Sequence, residues 1–192
     1  MAIFAEIQGA LNDRMLDRGR APRALGLRFP DAPTGAYGGV SVPYADAAFD
    51  LIVSIQVFEH VPEPHTTFAE IARIVRPGGY LVGSTSFNEP FHSESTFGFS
   101  PKNFARMIEE AGFDVLEITP GIDMWALTLR RLARQFRHNE AAKVIDPFFG
   151  TTASPLNDLI DECAANQNVE PVRANALKLE LAGQFNFLAR KR

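Results

Sequence analysis

Cysteine is nearly missing from this chain: Cys163 is the only one among 192 residues. That excludes an internal disulfide and any cysteine-based metal cluster. Cys163 falls in a helical pattern, where a small buried residue is expected rather than a nucleophile. Tryptophan is equally scarce, with one copy. No apolar run is long enough to span a bilayer. The opening Met-Ala-Ile-Phe-Ala-Glu-Ile is broken by an early acid, unlike a signal peptide, so the cytoplasm is the expected location. An excess of positive charge is also absent. Nineteen Lys and Arg stand against 23 Asp and Glu, giving a net charge of -4 and a pI near 5.6. This argues against a nucleic acid or an anionic membrane as a partner held by bulk charge.

What is present is ordinary for a globular protein: 46% hydrophobic and 22% charged residues, with 16 Phe. The length suits one well-packed domain. Ile3, Phe4, Ile7, Leu11 and Met15 recur at helical steps, which predicts an amphipathic helix over 2–17. Residues 19–39 lack a clean period and are rich in Gly, Pro and Arg. They read as an irregular connection with a short extended piece around Leu25–Phe29.

Regular α/β organisation begins after residue 40. Asp50–Gln56 reads as a strand buried on both faces. A helix follows from Pro64 to Val75, with Phe68, Ile71, Ala72 and Val75 on one side. Arg76-Pro77-Gly78-Gly79 stops it, because Pro cannot continue a helix and glycine permits a tight reversal. Tyr80–Thr85 reads as the next strand. Ser100-Pro101 predicts a capped helix start leading through Phe104, Met107 and Ile108 to Gly112. Phe113–Ile118 reads as a third strand. Trp125, Leu129, Leu132 and Phe136 predict a helix from Ile122 to about His138, and Leu156–Ala165 a short one. Leu179–Ala189 alternates like a final strand. Strands alternating with helices imply a mostly parallel sheet with helices on its faces. Arg130, Arg131, Arg134 and Arg137 with His138 sit at helical spacing and read first as a solvated face.

Several segments, in this order and spacing, carry a resemblance. They are Val42-Pro43-Tyr44-Ala45-Asp46, Phe49-Asp50-Leu51-Ile52-Val53-Ser54, Glu59-His60, Arg76-Pro77-Gly78-Gly79 and Gln184-Phe185-Asn186-Phe187. Together they resemble a class I S-adenosylmethionine-dependent methyltransferase of the methyltransferase type 11 kind, over Val40–Ile118 and the C-terminal strand. The resemblance implies a Rossmann-like α/β sheet, mostly parallel with an antiparallel C-terminal strand. It divides the chain into an N-terminal helix and connection over 1–39 and the C-terminal part of a methyltransferase domain over 40–192, with a helical insertion at about 122–165.

The same resemblance implies S-adenosylmethionine as methyl donor, with Val42, Pro43, Ser54, Ile55 and Gln56 beside it. Methyl transfer is an in-line displacement that needs alignment and a dry site, and a hydroxyl acceptor gains from a base. Glu59 and His60 follow a buried strand at the edge where open α/β sheets bind ligands. His60 titrates in the range a base requires, and Glu59 could orient it. Bracing of the turn is the plainer reading of both. His92 and Glu94 fall after the next strand and are the candidate acceptor contacts. Phe91-His92 ahead of Phe97-Gly98-Phe99-Ser100-Pro101 is similar to a segment of methyltransferases of which some are encoded near polysaccharide biosynthesis genes, which implies a small-molecule or saccharide-like acceptor. Ubiquinone-pathway O-methyltransferases have Glu-x-x-Glu-His here, some with a divalent metal. Gln56 replaces the first Glu, which disfavours a hard cation, so no metal is expected.

The family's Gly-x-Gly turn, which holds the donor's amino-acid end, has no counterpart in residues 1–39. The N-terminal half of the sheet is therefore expected to be incomplete, as in a truncated copy. The edge of the strand at Asp50–Gln56 would then be bare, needing the N-terminal helix, a second copy or a partner chain to cover it. Three functional readings stand open: a methyltransferase, a degenerate non-catalytic relative that binds a partner, and, ranked last for want of a phosphate-binding glycine loop, an unrelated Rossmann-like nucleotide enzyme.

Overall fold

The strand Phe49–Ile55 (β2) organises the sheet. Asp50, Ile52 and Ser54 point to one face and are buried, while Leu51 and Val53 on the other are half-buried. The two faces are thus unequal, where the apolar run alone predicted burial on both. In this computed structural model the described residues are 23–27, 42–92, 95–135 and 154–192. The helix predicted over 2–17 lies outside them.

Ala24–Leu27 forms β1, which pairs in parallel with β2 from Ala24↔Leu51 to Leu27↔Ser54. This corrects the expectation of a bare β2 edge: the chain's own β1 satisfies those backbone groups. Its position beside β2 is the one the resemblance reserves for the central strand. Asp50 fixes the junction from inside. Its carboxylate accepts from the Arg23 backbone N–H at 2.8 Å and pairs with the Arg76 guanidinium.

After a single 3-10 turn at Phe58–His60, helix α1 spans Pro64–Ile74, with Pro at its first position. Its Phe68, Ile71 and Ala72 are buried as the period predicted. β3 is longer than expected, Val75–Ser86, because Val75 already pairs with Phe49 ahead of an irregularity in the ladder. Gly78 takes φ +74°, the left-handed conformation the Pro-Gly-Gly turn requires. Ser100 caps α2 (Pro101–Glu110) by accepting from the Asn103 N–H at 3.3 Å.

β4 covers Phe113–Pro120. Three helices then precede the last strand: α3 (Met124–Gln135), α4 (Pro155–Asn166) and α5 (Pro171–Glu180). The helical segment therefore runs beyond 165. Leu179 closes α5 and Leu181 follows it, so neither belongs to a strand, and β5 begins only at Gln184 and ends at Lys191. Cys163 is exposed on α4, not buried.

The sheet order is β1-β2-β3-β5-β4, with β1, β2 and β3 parallel and β5 antiparallel to both its neighbours. One core face joins Ile52 and Leu81 to Phe58, Phe68, Phe104, Phe185 and Phe187. Ring centroids there lie 4.6–6.0 Å apart in tilted and edge-on pairs, the arrangement aromatic quadrupoles prefer. This cluster absorbs many of the chain's phenylalanines and holds the 3-10 turn rigidly against the sheet.

Candidate active site at the carboxyl edge of the sheet

Where β2 ends, the chain reverses at Gln56, a non-glycine residue at φ +53°. Its amide explains the tolerance of that conformation. The backbone N–H donates to the Ser84 carbonyl at 2.9 Å and Nε2 to the Ser84 hydroxyl at 3.0 Å, locking β2 to β3. Ser54 is buried one turn inward, and Ile55 leaves half of its surface exposed at the edge.

The 3-10 turn then divides its residues. Phe58 enters the aromatic core, and its neighbour Glu59 is carried inward too, with no exposed surface. Thr85 Oγ1 donates to Glu59 Oε2 at 3.1 Å. Glu59 Oε1 accepts no hydrogen bond and faces His60 Nε2 at 4.0 Å. Burial raises the Glu59 carboxyl above its usual 4.5. Hydrogen bonds from its own backbone and Thr85, with the charge of His92, pull the other way.

The loop after β3 folds back on this turn. Thr96 and Phe97 donate their backbone N–H groups to the Glu59 carbonyl at 2.6 and 3.1 Å, and the Thr96 hydroxyl reaches the same oxygen. This strap brings His92 edge-on to His60, with ring centroids 5.2 Å apart. His92 Nδ1 lies 3.2 Å from the Pro90 carbonyl, which can only accept, so that nitrogen carries the proton. Beside them opens a cavity of about 180 Å³ lined by Ser86, Glu89, His92, Ser95, Thr96 and Phe97.

Of the residues proposed from sequence, the structure brings Glu59, His60 and His92 together, with Gln56 and Ser54 directly behind. Glu94 lies outside the described residues. Val42 and Pro43 are elsewhere. The Val42 N–H donates to Glu70 at 2.7 Å and its carbonyl accepts from Arg73, on the last turn of α1 near the amino end of β2.

Sequence reasoning missed Glu89. Its carboxylate is almost wholly buried, accepts from Ser86 and from Gln184 Nε2 at 2.8 Å, and pairs with Arg131 of α3. The arginine run was the available signal: one of its members, read as solvated, points at a buried acid. Trp125 is more than half exposed, while Phe136, Arg137 and His138 fall outside the described residues.

Fold and site together define an α/β protein whose polar residues gather at the carboxyl ends of parallel strands, the ligand edge of open sheets. A profile of the methyltransferase domain family matches residues 33–83. The methyltransferase GfsG of Streptomyces halstedii is 34% identical over 92 residues, 41% of this chain and 33% of that protein. A ubiquinone biosynthesis O-methyltransferase of Alkalilimnicola ehrlichii is 27% identical over 62% of this chain and 44% of its own length. The chain therefore spans less than half the length of these curated relatives. Among solved structures, geranyl diphosphate C-methyltransferase from Streptomyces coelicolor is similar at TM-score 0.44 and 15% identity, over 79% of this chain and 50% of that one. Over these stretches the chain is similar to the methyltransferase domain family.

Ile55 offers exposed apolar surface at the strand end, and Gln56 holds the turn beside it. No described residues form a glycine-rich turn for the donor's amino-acid end. No helix in the described residues is long and apolar enough to cross a membrane.

Proposed function

We propose that the chain transfers a methyl group to a small-molecule acceptor rich in hydroxyls, of the saccharide-like kind, bound in the cavity beside His92. The observation that carries this reading is the convergence of Glu59, His60 and His92 from two separate loops onto one edge. The cavity's mixed lining supports the acceptor class: the hydroxyls of Ser86, Ser95 and Thr96 and the His92 imidazole, beside the rings of Phe91 and Phe97, suit a ligand with both hydroxyls and an apolar face.

When bound, S-adenosylmethionine supplies a methyl group on a positively charged sulfur. The chain's own residues do the rest. His60 takes the acceptor's hydroxyl proton, and Glu59, behind it, orients the ring and offsets the charge that forms. His92, with its proton fixed on Nδ1, accepts a hydrogen bond from the ligand at Nε2. The strap of Thr96 and Phe97 on the Glu59 carbonyl excludes water from the back of the site.

Calorimetric titration of the 192-residue chain with S-adenosylhomocysteine tests the reading. Saturable binding at micromolar strength supports it and directs acceptor screening. A folded chain that binds none favours instead the non-catalytic reading.

A further inference from the structure

Glu89 is a buried acid with no part in the proton transfer, its side chain keeping 1% of its surface exposed. A carboxylate taken out of water is costly unless it is paired and hydrogen-bonded. Its two oxygens divide that task. Oε2 accepts from the Ser86 hydroxyl at the end of β3 and, at 2.8 Å, from Gln184 Nε2 at the start of β5. Oε1 meets the Arg131 guanidinium of α3 and lies 3.6 Å from His92 Nδ1. One oxygen is thus tied to the sheet, and the other faces a helix and the ring that lines the cavity.

The backbone explains why α3 comes so near. The Phe87 N–H donates to the Gly183 carbonyl at 2.9 Å, and the Gly183 N–H to the Ile122 carbonyl at 2.8 Å. The loop after β3, the entry to α3 and the approach to β5 therefore meet at one residue. A Cβ on Gly183 would lie 2.8 Å from the Leu127 side chain and 3.2 Å from the Met124 Cα, so α3 packs directly on this point. Arg131, about two turns beyond Met124, then reaches Glu89. Pro90 follows Glu89 in the chain, and its carbonyl lies 3.2 Å from His92 Nδ1. Holding the Glu89 carboxylate also holds the short stretch that aims the His92 ring.

We propose that Glu89, held by Arg131 and Gln184, is a positioning residue that fixes the His92 proton on Nδ1 and so presents a bare Nε2 to the acceptor. The consequence for the acceptor rests on the proposed methyl transfer; the hold of Glu89 on the ring stands without it. Both groups beside Nδ1, the Pro90 carbonyl and the Glu89 carboxylate, can only accept. The partner of one ring nitrogen decides which nitrogen carries the proton. Arg131 supplies the cation that a buried carboxylate needs. Through it α3, whose described residues do not line the cavity, bears on the aim of an acceptor contact.

The test reads the ring itself and needs neither donor nor acceptor. The full chain, labelled with ¹⁵N at its four histidines, is recorded in long-range ¹H–¹⁵N spectra at about pH 8, where an ordinary imidazole is neutral. His92→Ala identifies the His92 signals by their loss. In the parent, Nδ1 should appear as the protonated nitrogen and Nε2 as the bare one. In Glu89→Gln the amide oxygen takes the two donors that Oε2 holds, so the NH₂ turns to His92 and meets Nδ1 donor to donor. The proton should then move to Nε2, and the two ring signals should exchange places. Glu89→Asp keeps the charge for Arg131 but draws it back by one methylene. It should shift both signals part of the way, and it serves where the Gln variant does not fold. Arg131→Met should displace the same signals, while exposed His65 beside Glu110 keeps its own in every variant. A parent His92 protonated on Nε2, or His92 signals unmoved by the Glu89 and Arg131 substitutions in folded protein, would overturn the proposal. Signals that move as stated in a chain that methylates nothing would uphold the role of Glu89 and sink the methyl-transfer reading alone.

Discussion

Thr85, next to the last residue of β3, donates its hydroxyl to Glu59 Oε2 at 3.1 Å, across the interval between two parallel strands. That bond falls short of restoring what burial takes away, and the Glu59 carboxyl stays above its usual 4.5. Between the unfolded and the folded value, the folded chain therefore binds more protons than the unfolded chain. Stability contributed by this group is full below the unfolded value and is lost as pH rises through the folded one. Within that window the slope approaches about 1.4 kcal/mol per pH unit. Urea unfolding from about pH 4 to about pH 8 should show the decline, and Glu59→Gln should flatten it. An unchanged profile in the variant would assign the slope to another group.

Asp123 caps two helices at once. Its Oδ1 accepts from the Ala126 N–H at 2.8 Å at the start of α3. Its Oδ2 accepts from the Ser154 hydroxyl at 2.6 Å and from the Leu156 N–H at 3.3 Å at the start of α4. Asp123, Ala126 and Ser154 are buried. Asp123→Ala leaves those donors unmet and should cost about 3 kcal/mol. For a chain of this size that is a fall of roughly 6–12 °C in Tm. Asp123→Asn, which keeps the Oδ1 cap, should lose about half as much.

Parts of this architecture were legible because they rest on local rules. Ser100-Pro101 announces a helix start through capping chemistry that needs no tertiary context, and the cap is made as read. The Pro-Gly-Gly turn is legible for the same reason. β1 was harder, since Ala-Leu-Gly-Leu has no period to speak of and is a strand only because β2 lies beside it. α5 was missed because Leu179, Leu181, Phe185 and Phe187 share a parity, and that alternation concealed a helix end followed by a strand start. Glu59 and His60 stood out by their place after a buried strand. Glu89 did not, because its partners Gln184 and Arg131 are 95 and 42 positions away. A carboxylate buried by distant contacts leaves no mark in its own neighbourhood.

Two glycines of β3 should respond differently to the same substitution. A Cβ on Gly83 would lie 1.7 Å from the Ser54 carbonyl oxygen and 3.0 Å from Phe187. Backbone cannot yield there without parting β2 from β3, so Gly83→Ala should cost well over about 3 kcal/mol and yield little folded protein. Gly78 has room, with only the ends of Arg76 and Arg190 at 3.6 Å. Its positive φ alone resists a side chain, and Gly78→Ala should cost about 1–2 kcal/mol. Comparable melting temperatures for the two variants would contradict this division between close approach and backbone strain.

His60 separates chemistry from stability. Its ring is nearly buried, beside the Glu59 carboxylate and edge-on to His92. Removing it should cost the fold no more than about 1–2 kcal/mol, the ordinary range for a point substitution. If His60 takes the acceptor's proton, the loss of turnover should be about 10²–10⁴-fold, the scale of a positioned base. In a preparation that methylates an acceptor, His60→Ala should thus lower kcat by at least two orders of magnitude with a modest change in Tm. Raising the pH should recover part of the lost rate, because hydroxide substitutes for the missing base, whereas a purely structural defect would not respond. A variant that loses activity only in proportion to its folded fraction would make His60 a brace of the turn.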